Sequence, residues 1–299
     1  MIKKLEELLN LALTKDKKII AVAAAHDKEV LLAVTEAVAL GIVNAILVGN
    51  EIKIKEICKN EKLDLENITI INEIDVVKAA AKAVEQVVLG NADFLMKGML
   101  NTSDLLKAVL NKEKGLRGKE MLSHVMLYEV STYHKLISLT DGGMVMYPEL
   151  NDKIGIINNA VKVAHKLGIK NPKVAPICAV EVVNSSMQAT IDAALLSQMN
   201  KRGQIKGCII DGPLALDIAI SSEAAKHKGI ISDVAGDSDI LLVPSIESGN
   251  FLGKALTYFA GAENAGVIVG AKCPVVLVSR ADSARSKLYS IALGSVISE

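Results

Sequence analysis

Short runs of Ile, Val and Leu recur along the chain, separated by longer stretches with helical spacing. The runs are Ile19 to Ala24, Ala45 to Val48, Phe94 to Met96, Leu136 to Leu139, Lys173 to Ile177, Cys208 to Ile210, Ile240 to Val243 and Pro274 to Val278. Between them, Glu29 to Leu40, Val76 to Leu89, Asn159 to Leu167 and Thr190 to Met199 place apolar residues three and four apart. The charged and apolar mixture of Glu51 to Asn72 reads as a surface helix plus a short strand. Strand–helix alternation of this kind predicts an α/β fold with largely parallel sheets and helices on both faces. Strands that are continuously apolar fit burial on both sides.

The residues just after the strands are more informative. Lys97-Gly98 comes directly after Met96, and Asn101-Thr102-Ser103-Asp104 then opens a helix. Thr140-Asp141-Gly142-Gly143 comes after Leu139, and Asp211-Gly212-Pro213 after Ile210. Ser245 to Gly249-Asn250 and another helix succeed Val243-Pro244, and Ser279-Arg280-Ala281-Asp282 succeeds Val278. In open α/β sheets ligands bind beyond the carboxyl ends of the strands. Turn chemistry alone explains any one of these loops; polar or charged residues at all of them predict a site.

At 299 residues, 51% of them hydrophobic, the chain fits one large or two medium domains with ample core. Acids and bases balance at 34 each, and there are three Phe, five Tyr and no Trp. Neither a basic face nor stacking platforms for nucleic acid are indicated. Arginine is confined to Arg117, Arg202, Arg280 and Arg285, so a position that needs a bidentate fork for phosphate stands out. Cys58, Cys178, Cys208 and Cys273 form no CxxC and read as buried free thiols of a reducing compartment. With no signal-peptide core at the N-terminus and no apolar run of membrane-spanning length, the expected location is cytoplasmic, with no membrane partner.

Motif by motif, Lys97-Gly98 and the helix start at Asn101-Thr102 suit an anion, since an ammonium, free backbone N–H groups and the helix dipole add together. An ordinary N-cap beside a solvated lysine accounts for the same residues. No Walker sequence is present, and Ala23-Ala24-Ala25-His26-Asp27 offers no GxGxxG for a pyrophosphate. Ser279-Arg280-Ala281-Asp282 brings a hydroxyl, a guanidinium and a carboxylate together at a strand end. Arg280 can hold a phosphoryl group through two parallel hydrogen bonds, and Ser279 can donate to an oxygen gaining charge. Helix capping by Asp282 or Ser283 is the plainer role and is compatible with catalysis. Arg117, between Gly115 and Gly118 and shortly before Ser123-His124, suggests a loop with a second phosphate contact, or a surface arginine. Arg202 reads as a charge at a helix C-terminus before a glycine cap. No His, Cys and carboxylate spacing resembles a metal site.

Leu95 to Thr102, Thr140 to Gly143, Asp211-Gly212-Pro213-Leu214-Ala215-Leu216-Asp217, Ser248-Gly249-Asn250 and Pro274 to Arg280 occur in an order that resembles the phosphate acetyl/butyryltransferase family over nearly the whole chain. The Met-Lys-Gly segment and the Asp-Gly-Pro-Leu-Ala-Leu-Asp form look more like the butyryl branch. The resemblance implies two α/β domains of the isocitrate/isopropylmalate dehydrogenase type with the active site in the cleft between them. Residues 1–126 plus 269–299 would make the first domain and 127–268 the second. It implies reversible conversion of acyl-CoA and phosphate to acyl phosphate and CoA in a ternary complex, with coenzyme A as substrate and no tightly bound cofactor. A homo-oligomer is also implied.

Ser279 and Arg280 then match the family's Ser-Arg pair, with transition-state and phosphate contacts. The expected substrate contacts are Lys97, Gly98, Asn101, Thr102, Arg117, Ser123, His124, Asp141, Gly142, Asp211, Gly249 and Asn250. The acetyltransferase pattern also carries an aspartate in the helix after the pair, where this sequence brings Lys287 and no carboxylate. The base is therefore not carried over; Asp282 is the nearest carboxylate in sequence, and His124 and Asp211 are the alternatives. A thiol with a pKa near about 8.5 needs only modest help. Phosphate acetyltransferase is the neighbouring reading. A two-domain hydroxy-acid dehydrogenase and a non-catalytic acyl-CoA or acyl-phosphate sensor are the readings from other classes.

Overall fold

The computed structural model of the chain describes residues 2–298, which divide into two compact units. One comprises Glu6–Glu120 and the chain from Ala265 onward; the other comprises Met121–Asn264 and the few residues through Leu5.

The first stretch runs α1 (Leu5–Leu13), β1 (Lys18–Ala23), α2 (Lys28–Ala39), β2 (Val43–Gly49), α3 (Glu51–Glu61), β3 (Ile68–Asn72), α4 (Val76–Val88), β4 (Phe94–Lys97) and α5 (Thr102–Val109). The middle stretch contributes β5 (Ser123–Glu129), β6 (Ile137–Thr140), α6 (Leu150–Lys166), β7 (Lys173–Cys178), α7 (Gln188–Lys201), β8 (Ile209–Ile210), β9 (Leu214–Ala215), α8 (Leu216–Ile220), α9 (Ser222–His227), β10 (Ile240–Leu242) and α10 (Ile246–Tyr258). The chain closes with β11 (Glu263–Val269), β12 (Val275–Val276) and α11 (Ala284–Ile297).

In the unit built from the two ends of the chain, the strand order is β3-β2-β1-β4-β12-β11. All pairs are parallel except β11 with β12. The register sets Ala23 beside Lys97 and Met96 beside Val276. The carboxyl ends of β1, β4 and β12 therefore lie side by side although β12 is far away in sequence. α11 is buried almost throughout, from Ser286 to Ile297. A helix without a solvent face belongs inside a layered core, and Gly294 lets it lie close: a Cβ there would sit 2.7 Å from Phe94 and 2.8 Å from Val276.

The other unit has the order β5-β6-β10-β7-β8, with β9 beside β7. Only the β5–β6 pair among these is antiparallel. Its core gathers Tyr128, Ile137, Leu139, Ala175, Leu214, Ile218 and Leu241. A buried ion pair joins α6 to α7: Lys153 Nζ lies 2.5 Å from Asp192 Oδ2, and Gln188 donates to the other oxygen at 2.8 Å. Removing one partner strands a buried charge. Lys153→Met is thus expected to cost about 3–5 kcal/mol in urea unfolding, most of it recovered in Lys153→Met/Asp192→Leu. A double variant no more stable than the single one would show that the pair has no such role.

Three strands, β5, β9 and β11, fall outside the strands read from the sequence. β5 and β11 carry Ser-His and Asn-Ala-Gly, small and polar residues, yet both strands are largely buried, Ser123, His124 and Asn264 included. β12 ends at Val276, so Leu277 and Val278 belong to the loop before Ser279. α10 begins at Ile246 behind a Ser245 cap, which puts Gly249 and Asn250 within the helix rather than ahead of it. Arg202 caps the end of α7, followed by Gly203 at φ +73°, as its sequence setting implies.

Candidate active site

The parallel neighbours β1, β4 and β12 deliver three loops to one place. Lys97 is the last residue of β4 and is buried at 8% exposure, its ammonium donating to the carbonyls of Gly98 (3.3 Å) and Leu100 (3.1 Å). Gly98 and Met99 donate their N–H groups to Ala23 and Ala24 at 2.9 and 2.8 Å, tying this loop to the end of β1. Asn101 stands at the N-cap of α5, but its side chain caps nothing. It accepts from the Arg280 guanidinium at 2.9 Å and reaches Asp104 at 3.3 Å. The first turn of α5, beginning at Thr102, therefore presents N–H groups that no cap side chain covers, next to a guanidinium.

Ser279 and Arg280 are exposed on the turn after β12. The turn is closed by its own residues: Ser279 N–H donates to the Asp282 carboxylate at 2.8 Å and Asp282 N–H to the Ser279 carbonyl at 3.2 Å. The Ser279 hydroxyl accepts from Ala281 N–H at 3.4 Å, which leaves its own proton to donate. Ser283 caps α11 through Ser286 N–H at 3.2 Å, while Ala284 N–H goes to Glu29 at 3.0 Å. Asp282 shapes the turn, and the cap is Ser283.

The charge distribution is one-sided. Burial holds the Lys97 amine below the ordinary lysine range, the charges of Arg280 and Lys287 lower it further, and Asp27 at the start of α2 works the other way. Lys287, in α11, is 3% exposed and donates to the Asp282 carbonyl. Lysine beside arginine beside lysine makes a place that gains by accepting an anion. Arg117, also in this unit, is exposed; its neighbours are fixed, Leu116 N–H to Val109 and the Leu116 carbonyl to Lys272 N–H at 2.8 Å.

The remaining expected residues lie in the other unit. Asp141, 2% exposed, accepts from His124 N–H at 3.1 Å and from the N–H groups of Gly143 and Met144, each at 2.8 Å. Thr140 donates to the His124 carbonyl at 2.9 Å, and Ser123 accepts from Asn159 at 2.8 Å. The carboxylate thus forms the loop after β6 and fastens it to β5. Gly142 and Gly249 owe their identity to contact: a Cβ on Gly249 would sit 2.6 Å from the Gly142 Cα, and one on Gly142 2.8 Å from the Gly249 carbonyl carbon. Asn250 is exposed on α10, and Asp211 comes after β8, its N–H on the Val174 carbonyl at 3.3 Å.

Lys287 and Asp27 were not among the expected contacts. A lysine draws no notice in a lysine-rich chain; the available signal was its place among Leu288, Ile291 and Ala292, which marks a helix with no solvent face.

A protein-family model described as phosphate acetyl/butaryl transferase matches residues 4–78 and 72–295. The chain belongs to this family. It is 52% identical over 297 residues to a phosphate butyryltransferase of Clostridium acetobutylicum, covering 99% of each chain. A phosphate acetyltransferase of Thermotoga maritima is 46% identical, with 98% of this chain and 99% of that one covered. Among solved structures, a branched-chain phosphotransacylase from Enterococcus faecalis superposes with a TM-score of 0.82 at 36% identity, covering 94% of this chain and 98% of the other. Family membership makes the chain an acyltransferase. A 4-hydroxythreonine-4-phosphate dehydrogenase from Klebsiella pneumoniae, at 11% identity, 95% and 100% coverage and a TM-score of 0.57, shares the fold. Among the described residues no group of three or more His, Cys, Asp or Glu is arranged to hold a metal ion, and no helix is long and apolar enough to cross a membrane.

Proposed function

We propose that the chain is a phosphate butyryltransferase, converting butyryl-CoA or a similar short acyl-CoA and phosphate to acyl phosphate and CoA, reversibly. The observation that carries this reading is Arg280, held by Asn101 at the start of α5 and sharing its surroundings with Lys97 and Lys287. In the phosphorolysis direction a phosphate oxygen attacks the thioester carbonyl carbon. The C–O bond forms, the C–S bond breaks, and the sulfur leaves as thiolate and takes up a proton. Phosphate is already an anion, so this direction needs no strong base to create the nucleophile. Arg280 and Lys97 orient it, and the Ser279 hydroxyl donates to the carbonyl oxygen as charge builds there. In reverse the CoA thiol must ionise, and a cationic site favours the thiolate.

We expect the acyl chain to bind apolar surroundings at roughly 1 kcal/mol per methylene, so activity should be graded from acetyl to butyryl rather than switched. The test is release of free thiol from butyryl-CoA with phosphate. Absence of thiol release, with inorganic phosphate still raising the melting temperature, would favour the sensor over the enzyme.

We also propose a homo-oligomer located in the cytoplasm. Phe251, Tyr258 and Phe259 are exposed on and just after α10 in a chain with only three Phe, and a second copy is the occupant we assign to them. Light scattering that returned the single-chain mass of 31.7 kDa would remove this assignment. All four cysteines are free and buried, which suits a reducing compartment; recovery of the protein from culture medium would contradict that location.

A further inference from the structure

We infer that Lys287 is a positioning residue for the phosphate half of the reaction: from inside α11 it holds the Ser279–Asp282 turn and places a third positive charge beside Lys97 and Arg280. The inference rests on the function proposed above and concerns a residue for which the family resemblance supplied no role.

Burying an ammonium is costly unless something nearby needs it. Lys287 is 3% exposed, and the contact shown for its Nζ is to the carbonyl of Asp282, a neutral acceptor. That same Asp282 accepts Ser279 N–H through its carboxylate. The ammonium therefore grips the turn at one end of a short chain of bonds, and the Ser279-Arg280 pair sits at the other. A neutral donor would suffice to brace the turn. The charge has a second effect, since it reaches Lys97 across the site and helps to hold that amine below its ordinary range, after burial and Arg280. Arg280 from the turn after β12 and Lys287 from α11 act on Lys97 in one sense and Asp27 from the start of α2 in the other. The Asp282 carboxylate of the same turn receives Ser279 N–H, and an incoming phosphate adds countercharge to the cations.

Lys287→Gln separates the two roles, because an amide can still donate to the Asp282 carbonyl but carries no charge. We expect the phosphate KM to rise at least tenfold while the butyryl-CoA KM stays within twofold. Removing a neighbouring cation raises the Lys97 pKa, so the alkaline limb of kcat/KM for phosphate should move to higher pH. Lys287→Arg, which restores charge, should recover the phosphate KM in part. Independently of turnover, inorganic phosphate should raise the melting temperature of the unaltered protein, and Lys287→Gln should lose most of that rise. Equal changes in both KM values with an unmoved pH limb would reduce Lys287 to a structural brace and overturn the inference. So would unchanged kinetics. If Lys287→Gln does not fold, the melting-temperature rise with phosphate is measured on Lys287→Arg, and its complete loss despite the retained charge overturns the inference. An unaltered protein that releases no thiol defeats the proposed function instead, a result distinct from any of these.

Discussion

Arg280→Ala should lower kcat/KM for phosphate by about a thousandfold, the effect of removing a donor that stabilises developing charge. Arg280 is singled out by scarcity and by setting. It is one of four arginines among 34 basic residues, and its guanidinium is oriented by Asn101 at 2.9 Å. A fork aimed in this way gives phosphate two parallel hydrogen bonds, which a lysine cannot imitate. Arg280→Lys should accordingly keep the charge, lose the geometry and fall between the unaltered enzyme and the alanine variant, at roughly a tenth to a hundredth of normal. The side chain is exposed, so neither change should move the melting temperature appreciably. Steady-state kinetics with butyryl-CoA and phosphate decide the matter; an alanine variant within fivefold of normal would take Arg280 out of the reaction. Asn101→Ala should reproduce part of the loss, since it frees the guanidinium without removing it.

Local patterns made the ingredients of this site legible, while their meeting was implied only by the family resemblance, which joins residues 269–299 to 1–126. Lys97 and Ser279-Arg280 were each visible at the end of an apolar run, where α/β folds place their ligands. That β12 adds beside β4 is a matter of topology, set by pairings such as Val276 with Met96 that no local pattern encodes. β5 and β11 escaped for a related reason. Their sequences mix small and polar residues in part because the Ser123 and Asn264 side chains hydrogen-bond to other segments, and such residues resemble turn chemistry. Gly249 misled in the opposite way: glycine in a loop-like setting proved to be helical, its missing side chain demanded by contact with Gly142.

Asp282, the candidate base nearest in sequence, also has a structural job: its Oδ2 receives Ser279 N–H and its main-chain carbonyl receives Lys287. Asp141 is likewise occupied, with three N–H groups on its two oxygens. The Asp141 carboxylate and Oδ2 of Asp282 thus help to shape the loops that present other groups. A site organised in this manner relies on fixed dipoles and cations, which cost no rearrangement when the reaction occurs.

Gly98→Ala should disable the enzyme through the backbone rather than through any side-chain contact with substrate. A Cβ at this position would lie 2.4 Å from the Ala24 oxygen, 2.6 Å from the Ala23 oxygen and 2.9 Å from the Ala24 carbonyl carbon. Every one of these is a main-chain atom, so no flexible side chain can swing aside. The β1 loop has little slack of its own. Ala24 already sits at φ +52°, a left-handed conformation that costs an alanine about 1 kcal/mol. Its carbonyl is fixed by Met99 N–H and that of Ala23 by Gly98 N–H, the bonds that an added methyl would break. The loop must therefore move away from β1, carrying Lys97 on one side and Asn101 on the other out of register with Arg280. We expect a loss of about 2–4 kcal/mol in stability, the usual scale for overpacking combined with broken buried hydrogen bonds. Among molecules that remain folded, kcat/KM for phosphate should fall at least a hundredfold, because a displacement near 1 Å at a positioned group is enough to do so. Gly90→Ala in the same unit supplies the contrast. At φ +77° it meets conformational strain alone, with nothing within 4 Å of its Cβ, and should cost about 1 kcal/mol while leaving turnover normal. Urea unfolding and kinetics on the two variants distinguish these outcomes. A Gly98→Ala enzyme as active as Gly90→Ala would mean that the close approach of the β1 and β4 loops does not hold the phosphate site in shape.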